Sequence, residues 1–493
     1  MNGTNPQDLI LILPELILVG VALLLLVFAR RLRDVRLAAA VTIGTASLAA
    51  VAARWIVDSE KQVGFAEMFA VDGYSQFFKV LVAISVGLTT LLSVGFVVQN
   101  RIRIGEYHAL LLLAATGMMV ASSATDLLPL YLGLELTTLC SYILVGIAVD
   151  RPLANEAGIK YFLLGSFSSA LFLYGIALTY GATHTTAYTG IQAALSPGGA
   201  TQPLMLVAMG LLVAGLAFKV AAFPFHAWAP DAYQGAGTPV AAFLAAASKA
   251  AGLAALGRVC LIALDTDGPV LSGLLMSVAG LSILVGSIMT VAQTDMKRLL
   301  AYSSIAHAGY ALLGFVAATS DGATPELASA GAAASMAYAF LYVFMTLGTF
   351  GILIGLGSRG EKLSDYQGLA TQRPGVAALM LLFLLSLAGI PPTAGFTAKF
   401  GVLLGVVRAG HWGLAILAVI CSVVTAFVYL RVAVLMFMKE PQKSMPERFT
   451  WAVSSALAVA AVVTMIGGVF PAATLMDGFF PDLVPLWAVS PGN

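Results

Sequence analysis

The stretch LAFKVAAFPFHAWAPDAYQGAGTPVAAFLAAASKAAG, residues 216–252, places two lysines, Lys219 and Lys249, inside otherwise apolar sequence. Pro224 follows the first lysine and should break the helix there, because proline lacks the backbone donor and clashes with the preceding turn. The apolar sequence on both sides is long enough to cross a bilayer, which takes about 20 residues. An ionisable group at the bilayer centre costs about 2.5–3.5 kcal/mol on insertion scales, so buried lysines of this kind indicate a function.

The composition of the whole chain points to a membrane protein. Of its 493 residues, 60% are hydrophobic and 10% are charged, whereas soluble domains average about 25% charged residues. A net charge of +1 argues against nucleic acid as a partner. The three cysteines, Cys140, Cys260 and Cys421, are far apart in apolar runs, and the sequence has no glycine-rich phosphate-binding motif. We therefore predict no metal, iron–sulfur, dinucleotide or ATP site in this chain.

The apolar runs predict an all-α integral membrane fold with about fourteen transmembrane helices. The N-terminus lacks the basic region of a signal peptide, so the first run should remain as the first span. The run at 375–408 is too long for one straight span and contains Gly389, Pro391 and Pro392, so we predict that the twelfth helix is broken, like the seventh. The predicted spans are 8–29, 36–55, 73–97, 107–123, 127–149, 155–180, 203–223, 238–263, 269–292, 297–317, 329–357, 375–408, 411–438 and 451–473.

The basic residues predict the orientation of these spans. Most of the basic residues fall in loops on one side of the membrane, and the loops on the other side carry only Arg54 and Lys61. The positive-inside rule then places the basic side in the cytoplasm and both termini on the far, periplasmic side. Fifteen of the 25 basic residues share the cytoplasmic side: Arg30, Arg31, Arg33, Arg36, Arg101, Arg103, Arg151, Lys297, Arg298, Arg359, Lys362, Arg373, Lys439, Lys443 and Arg448.

Depth along the helices places several ionisable residues together. A helix rises about 1.5 Å per residue and half the hydrocarbon core is about 15 Å, so the midplane lies about ten residues from a span end. Lys160 lies nine residues past Arg151, but the start of its helix is less clearly marked. Five residues are predicted near the midplane: Glu135, Lys219, Lys249, His307 and Lys399.

Such residues can move protons across a membrane. Burial disfavours the charged form of a lysine, and a nearby carboxylate favours it, so a Glu–Lys pair can hold or release a proton as the two groups approach or separate. Breaks in the helices help, because freed backbone groups admit and polarise water. We therefore predict that Glu135, Lys219, Lys249 and Lys399 form a proton route, to which Lys160 and His307 could contribute.

Structural explanations exist for each of these residues and remain open at this point. Lys219 and Lys249 could form buried salt bridges between helices, and Glu135 could simply neutralise one of them. His307 could be a packing histidine, and Lys160 could extend its ammonium group to the membrane surface. Extension to the surface is the expected behaviour of four residues nearer the span ends: Lys79, Arg258, Arg408 and Arg431.

Four stretches together resemble the antiporter-like subunits of NADH:quinone oxidoreductase, respiratory complex I, and the resemblance covers nearly the whole chain. Among these subunits the chain is most similar to subunit N. Lys399 stands where subunit M usually has a glutamate, and the chain ends about twenty residues after the last span, which leaves no room for the lateral helix of subunit L. The stretches are YLGLELTTLCSYIL (131–144), the opening stretch (216–252), TDMKRLLAYSSIAHAGYALLG (294–314) and LAGIPPTAGFTAKF (387–400).

The resemblance implies roles for individual residues. Glu135 matches the fifth-span glutamate, which in this family pairs with the seventh-span lysine, here Lys219. Lys249 matches the central lysine of the eighth span, and Lys399 matches the ionisable residue of the broken twelfth span, near the outlet to the periplasm. Lys160 is similar to an additional sixth-span lysine. His307 lies in the tenth-span motif, where it would bridge Lys249 to Lys399.

The resemblance also implies the organisation of the chain. Two inverted repeats of five helices are expected, with the broken seventh and twelfth helices in corresponding places. Residues 1–106 would hold the first three helices, 107–263 the first repeat, 264–438 the second repeat and 439–493 the fourteenth helix.

The implied function is proton translocation in the bacterial inner membrane, driven by electron transfer from NADH to quinone in other subunits. The chain would carry no cofactor, because flavin, iron–sulfur clusters and quinone belong to the partner subunits. Its expected partners are the neighbouring subunit M, the small subunits K and J, and the lipid bilayer. Alternatives are a subunit of a multisubunit cation/proton antiporter, of a membrane-bound hydrogenase or of a photosynthetic complex, and a structural scaffold whose lysines serve only assembly.

Overall fold

A computed structural model describes residues 8–56, 62–195, 202–264, 269–441 and 449–470 of the chain. Both termini, whose sidedness the basic residues predict, lie outside these ranges. So do Lys61, Lys443 and Arg448, and the side chain of Arg359 is not described either.

The N-terminal region consists of helices and one small hairpin. The hairpin pairs two antiparallel strands and is a departure from the predicted all-α fold, although it holds only six residues. It folds between the second and third predicted spans, where no apolar run demands a helix. The elements are α1 (Asp8–Leu11), α2 (Leu13–Val27), α3 (Val35–Trp55), β1 (Gln62–Gly64), β2 (Phe69–Val71) and α4 (Gly73–Gln99).

The next group of helices contains residues 216–252, with Lys219 and Lys249. Its seventh predicted span is broken, as expected, between α9 and the short helix α10. Its eighth predicted span changes between α-helical and π-helical backbone. The elements are α5 (Ile104–Ser123), α6 (Leu127–Val145), α7 (Pro152–Thr183), α8 (Tyr188–Leu195), α9 (Pro203–Lys219), α10 (Trp228–Gly235), α11 (Thr238–Phe243), a π segment (Leu244–Ser248), α12 (Lys249–Arg258) and a second π segment (Val259–Ala263).

The last group of helices contains the second break. The predicted twelfth span is divided into α17 and α18, which Gly389, Pro391 and Pro392 separate. Two 3₁₀ turns, Gly357–Gly360 and Leu363–Tyr366, lie in the preceding connection. The helices are α13 (Pro269–Val291), α14 (Met296–Ala318), α15 (Pro325–Leu356), α16 (Leu369–Gln372), α17 (Pro374–Ala388), α18 (Ala394–Arg408), α19 (Trp412–Met438) and α20 (Trp451–Val469).

The helices agree with the predicted spans one by one. Within the described residues, eleven helices are long and apolar enough to cross a membrane. Three shorter apolar helices, Leu13–Val27, Pro203–Lys219 and Pro374–Ala388, occupy the places of the first, seventh and twelfth predicted spans. The integral membrane fold is thereby confirmed, while the count of fourteen crossings and the inverted repeats stay predictions.

Acidic residues mark where several of these helices begin. The carboxylate of Asp72 accepts a hydrogen bond from the Ser75 backbone at 2.8 Å, and that of Asp126 accepts one from Leu128 at 2.8 Å. Asp295 does the same for Arg298 at 2.9 Å. Such caps satisfy backbone donors that have no partner within the helix and contribute about 1 kcal/mol each.

Small residues bring the first two helices of each predicted repeat into close contact. A Cβ atom added at Gly117 on α5 would come within 2.4 Å of the Gly133 carbonyl oxygen on α6. In the second group, a Cβ atom at Gly309 on α14 would lie 2.7 Å from the Ala279 carbonyl oxygen on α13. These backbones touch directly, which leaves no room for larger side chains and fixes the helix pairs that carry Glu135 and His307.

The structure contradicts the expectation that Lys79 extends to the membrane surface. Its ammonium group lies 2.8 Å from Oε1 of Glu15 on α2, and the two side chains are only 1% and 5% exposed. Lys79 also lies over the ring of Phe69, 4.8 Å from its centroid. The helix packing of the N-terminal region therefore encloses a buried ion pair whose acidic partner drew no attention in the sequence.

Arg258 is likewise buried, and the same expectation is wrong for it. Its guanidinium group forms two hydrogen bonds with the Asp72 carboxylate, at 2.7 and 2.9 Å. Burial alone raises the pKa of the Asp72 carboxyl, but Arg258 and hydrogen bonds from Ser75 outweigh that effect and hold the pKa below its ordinary value. Arg431 instead donates to the carbonyl oxygens of Val291 and Gln293 at the end of α13.

Candidate functional site

The first broken helix ends in a Schellman motif beside Lys219. The Ala222 N–H donates to the Ala217 carbonyl at 2.8 Å, and the Ala221 N–H donates to Phe218 at 3.0 Å. Ala221 has a φ of 56°, in the left-handed region that glycine usually occupies at this position. Its Cβ makes this conformation costly by about 1–2 kcal/mol, so surrounding contacts must hold the break in place.

The second broken helix ends in the same motif beside Lys399. The Ile390 N–H donates to Leu385 at 3.0 Å, the Gly389 N–H donates to Ser386 at 2.9 Å, and Gly389 has a φ of 82°. The carboxyl end of α17 faces a buried lysine, since the Ala388 carbonyl oxygen accepts a hydrogen bond from Lys399. The partial negative charge at a helix carboxyl end stabilises a nearby cation.

Glu135 on α6 and Lys219 on α9 form a buried ion pair. Nζ of Lys219 lies 3.3 Å from Oε1 of Glu135 and donates to the Thr138 hydroxyl at 2.7 Å. Ser169 on α7 also donates to the Glu135 carboxylate. The Glu135 side chain is 21% exposed and Lys219 is 8% exposed, so the carboxylate faces the surface of the helical bundle and the ammonium group faces its interior.

Lys249 has no carboxylate partner among the described residues. It is buried on α12, and its ammonium group donates to the Ser304 carbonyl oxygen on α14. Gly252, one turn further along α12, packs against the backbone of Lys219, where an added Cβ atom would lie 3.2 Å from the Lys219 carbonyl carbon. The two lysine-bearing helices are therefore in direct contact.

A small cavity lies between Lys249 and His307. Its volume open to a water-sized sphere is about 10 Å³, and Tyr338 and Tyr342 are among its lining residues. A space of that size is at the lower limit for one water molecule, and its lining exposes only apolar surface. His307 is buried, and its Nδ1 lies 2.6 Å from the Tyr338 hydroxyl. Lys249 on α12 and His307 on α14 thus line the same cavity.

Lys399 lies on the far side of His307. It completes a row of ionisable residues, which we call the row: Glu135, Lys219, Lys249, His307 and Lys399. The Lys399 ammonium group donates to the Ala388 carbonyl oxygen at 2.9 Å and to the Ser422 hydroxyl at 3.1 Å. It also lies over the ring of Tyr310, 4.8 Å from the centroid. The Tyr310 and His307 rings are 6.2 Å apart between centroids, so the aromatic residues of α14 separate Lys249 from Lys399.

Lys160 lies apart from this row. Its side chain is 47% exposed, and its ammonium group pairs with Glu156 at 2.7 Å and with Asp231 at 3.1 Å. Asp231 also pairs with Arg298 at 2.7 Å. These charges form a group on the predicted cytoplasmic side. Ser169, which binds Glu135, lies nine residues further along the same helix, about 13 Å at 1.5 Å per residue.

Several polar residues of the site were not anticipated from the sequence. Thr138 stands one helical turn after Glu135, so its contact with the ion pair is visible in the spacing once that pair is known. Ser304 acts through its backbone, which no side-chain pattern reveals. Ser169, Tyr338 and Ser422 come from other helices, and their contribution depends on tertiary packing. Within the described residues no group of three or more His, Cys, Asp or Glu side chains could hold a metal ion.

Comparison with known proteins places this chain in a family. The family described as "NADH:quinone oxidoreductase/Mrp antiporter, TM" matches residues 124–425, which include the whole row from Glu135 to Lys399. This chain belongs to that family. The predicted resemblance to its antiporter-like members is confirmed.

Relatives and solved structures agree with the assignment. "NADH-quinone oxidoreductase subunit N 2" of Rhizobium meliloti (strain 1021) is 43% identical over 466 residues, covering 93% of this chain and 94% of the relative. A chain of respiratory complex I from Thermus thermophilus with bound aureothin is 34% identical, with a TM-score of 0.79 and coverage of 94% and 98%. A chain of the Mrp complex from Dietzia sp. DQ12-45-1b has a TM-score of 0.83 and coverage of 97% of both chains, but at 22% identity it shows only a shared fold.

The helix break at Gly389 offers a direct test of the geometry around Lys399. We expect Gly389→Ala to destabilise the protein by about 1–2 kcal/mol from left-handed backbone strain alone. The new Cβ would also lie 2.7 Å from Cδ of Lys399 and displace that side chain. The thermal unfolding midpoint of the detergent-solubilised protein measures the effect.

Gly375→Ala, on the same half-helix, is the matched control. An added Cβ atom at Gly375 would have no neighbour within 4 Å outside the backbone of its own helix. Alanine is preferred to glycine inside a helix, so this control should leave the midpoint unchanged or raise it. Equal midpoints for the two variants would contradict the role assigned to Gly389.

Proposed function

We propose that this chain is the subunit N of a proton-translocating NADH:quinone oxidoreductase and that it carries no redox site of its own. The observation that supports this most is the row of buried ionisable groups, Glu135 with Lys219, then Lys249, His307 and Lys399, in a member of this family. Buried charges inside a membrane are costly and mark ion or proton pathways. The row contains both a switchable pair and groups that can pass a proton along.

The Glu135–Lys219 pair is the switch. While the carboxylate is close, the Lys219 ammonium is stabilised by the opposite charge and by the Thr138 hydroxyl. A conformational change that separates the two would leave a cation in a low-dielectric interior, which favours release of its proton. Glu135 is the more exposed partner, so a charge or movement in a neighbouring subunit can act on it first.

The remaining groups form the relay. A proton released near Lys219 would charge Lys249, whose helix is in contact with that of Lys219. The cavity and His307 then connect Lys249 with Lys399 past Tyr310. Lys399 lies at the break between α17 and α18, where freed carbonyl groups can admit water and provide the exit to the periplasm.

The partners and the location follow from the same role. The chain would lie in the bacterial inner membrane with both termini on the periplasmic side. Subunit M and the small subunits K and J would be its neighbours, with flavin, iron–sulfur clusters and quinone held by other parts of the complex. Lys160, paired with Asp231 at the cytoplasmic end, would contribute to proton entry from that side.

A subunit of a multisubunit cation/proton antiporter is the second candidate. The fold shared with the Mrp complex chain is the observation that favours it. The two functions differ in what drives translocation: NADH oxidation in the first, and an opposing cation gradient in the second. Dependence of proton movement on added NADH, measured without a sodium gradient, separates them.

The proposal is tested by Lys249→Ala in the assembled complex, reconstituted into vesicles. Removing the ammonium group interrupts the relay at its centre, so we expect the rate of proton translocation during NADH oxidation to fall by about tenfold, or about 1.4 kcal/mol. A pH-sensitive dye inside the vesicles gives the readout.

Lys439→Ala, which removes an exposed lysine at the end of α19, is the control and should translocate at the parent rate. If the Lys249→Ala complex assembled and pumped like the parent, Lys249 would have no part in translocation and the proposed row would be wrong.

A further inference from the structure

The helix that carries Lys249 is framed by two irregular segments. π-helical backbone precedes α12 at Leu244–Ser248 and follows it at Val259–Ala263. In π-helical backbone the hydrogen bonds span five residues instead of four. Each π segment therefore changes the direction in which the residues after it point, compared with a continuous α-helix. One residue corresponds to about 100° of rotation in an α-helix. The direction in which Lys249 points is therefore not fixed by the rest of its span.

Residues at the start of α4 hold the far end of α12 in place. The Asp72 carboxylate binds both terminal nitrogens of Arg258, at 2.7 and 2.9 Å. The Tyr74 ring lies 4.9 Å from the Arg258 guanidinium carbon, and the Tyr74 hydroxyl donates to the Ala254 carbonyl oxygen at 2.7 Å. A bidentate contact fixes orientation as well as distance, so this group of residues sets the rotation of α12.

Asp72 is itself rigidly held. Asp72 caps α4: its carboxylate accepts a hydrogen bond from the Ser75 backbone N–H at 2.8 Å. The Ser75 hydroxyl donates to the backbone carbonyl oxygen of Asp72 at 2.9 Å. Gly257 permits the close approach, since a Cβ atom there would lie 2.6 Å from the Tyr74 hydroxyl oxygen. Contacts within the first turn of α4 therefore hold the Asp72 carboxylate in the orientation that binds Arg258.

The geometry points to Asp72 and Arg258 as positioning residues for Lys249. Arg258 stands nine residues after Lys249 on the same short helix, so a rotation of α12 at one end turns the other end with it. Lys249 contacts α14 through the Ser304 carbonyl oxygen, and a rotated α12 would lose that contact and turn the ammonium group away from the cavity beside His307. This inference rests on the proposed function, because it assumes that Lys249 relays protons.

The test compares variants in the assembled complex, with proton translocation per NADH oxidised as the readout. Arg258→Met removes the anchor and should lower translocation by about fivefold. Arg258→Lys keeps the charge but cannot form the bidentate contact with Asp72, so it should recover only part of that loss. In a Lys249→Ala background, Arg258→Met should have no additional effect, because a positioning residue acts only through the group that it positions.

Tyr74→Phe provides a milder second variant in case Arg258→Met prevents assembly. It removes only the hydroxyl that binds the Ala254 carbonyl, and we expect about a twofold loss of translocation. Tyr366→Phe is its control, since Tyr366 is also fully buried and its hydroxyl likewise donates to a backbone carbonyl, that of Gly360 at 3.0 Å, in the connection between α15 and α16. The control should translocate at the parent rate.

The outcomes separate this inference from the proposed function. If Lys249→Ala lowers translocation as expected while Arg258→Met and Tyr74→Phe leave it intact, the positioning role is wrong and the relay stands. Independent, multiplying losses from Arg258→Met and Lys249→Ala would also overturn it, because they would indicate separate roles. Normal translocation by Lys249→Ala alone would overturn the proposed function first.

Discussion

Replacing Lys219 by methionine is expected to reduce proton translocation by the assembled complex to the level of passive leak. Methionine has nearly the length of lysine but no ionisable group, so it keeps the packing and removes the switch. The Glu135 carboxylate would then lack the ammonium group that lies 3.3 Å away in the parent. Removing one member of a buried pair typically costs about 3–5 kcal/mol. Dye-detected acidification of vesicles during NADH oxidation measures the functional loss, and thermal unfolding measures the structural one.

A double variant separates the two effects. Glu135→Gln combined with Lys219→Met removes both charges, so the unpaired carboxylate no longer destabilises the fold. We expect thermal stability to return close to that of the parent while translocation stays at the leak level. Recovery of translocation by the double variant would show that the pair is structural, as the sequence alone allowed, and that the switch lies elsewhere.

The arrangement of the spans was predictable because the membrane imposes a simple physical constraint. Backbone groups in the hydrocarbon region must be satisfied within their own helix, so apolar runs of sufficient length become helices. The proline and glycine residues at Pro224 and Gly389 likewise indicated both breaks, because their backbone chemistry is local. The hairpin at residues 62–71 carries no such constraint, and it was not foreseen.

The site was predictable only in part. Glu135, Lys219, Lys249 and Lys399 stand out because charge within apolar sequence is rare, and the resemblance to a family supplied the pairing. Their hydrogen-bond partners come from other helices, so spacing within one span cannot reveal them. Lys160 illustrates the limit: sequence depth placed it nearly as deep as the others, but the structure pairs it with Glu156 and Asp231 near an exposed end.

The misassigned residues Lys79 and Arg258 share a physical cause. A charged residue within a few turns of a span end can extend to the surface or turn inward to a partner, and both choices satisfy the sequence pattern. The inward choice depends on a carboxylate from another element, Glu15 on α2 or Asp72 before α4. Both acids are far from their basic partners in the sequence, so helical periodicity does not reveal the pairs. Only the packing of the helices determines which way each basic side chain turns.

The Glu15–Lys79 pair resembles Glu135–Lys219 chemically but lies in the N-terminal helices, away from the row. We expect Glu15→Leu alone to destabilise the protein by about 3–5 kcal/mol, since it leaves the Lys79 ammonium buried without its carboxylate. Combining Glu15→Leu with Lys79→Met should restore stability, because apolar residues of similar volume often replace a buried ion pair without loss. Thermal unfolding of the purified complex gives both values.

The distinguishing measurement is proton translocation by the Glu15→Leu, Lys79→Met double variant. Since this pair only joins α2 to α4, the double variant should pump at nearly the parent rate, in contrast to the double variant of Glu135 and Lys219. Both pairs are Glu–Lys contacts between helices, and Glu15–Lys79 is the more deeply buried of the two, so burial and charge alone would give it at least as large an effect on pumping. Different outcomes would mean that continuity with Lys249, His307 and Lys399, and not burial alone, makes a charged pair part of the proton route. Loss of pumping in a stable Glu15 and Lys79 double variant would instead extend that route into the N-terminal helices.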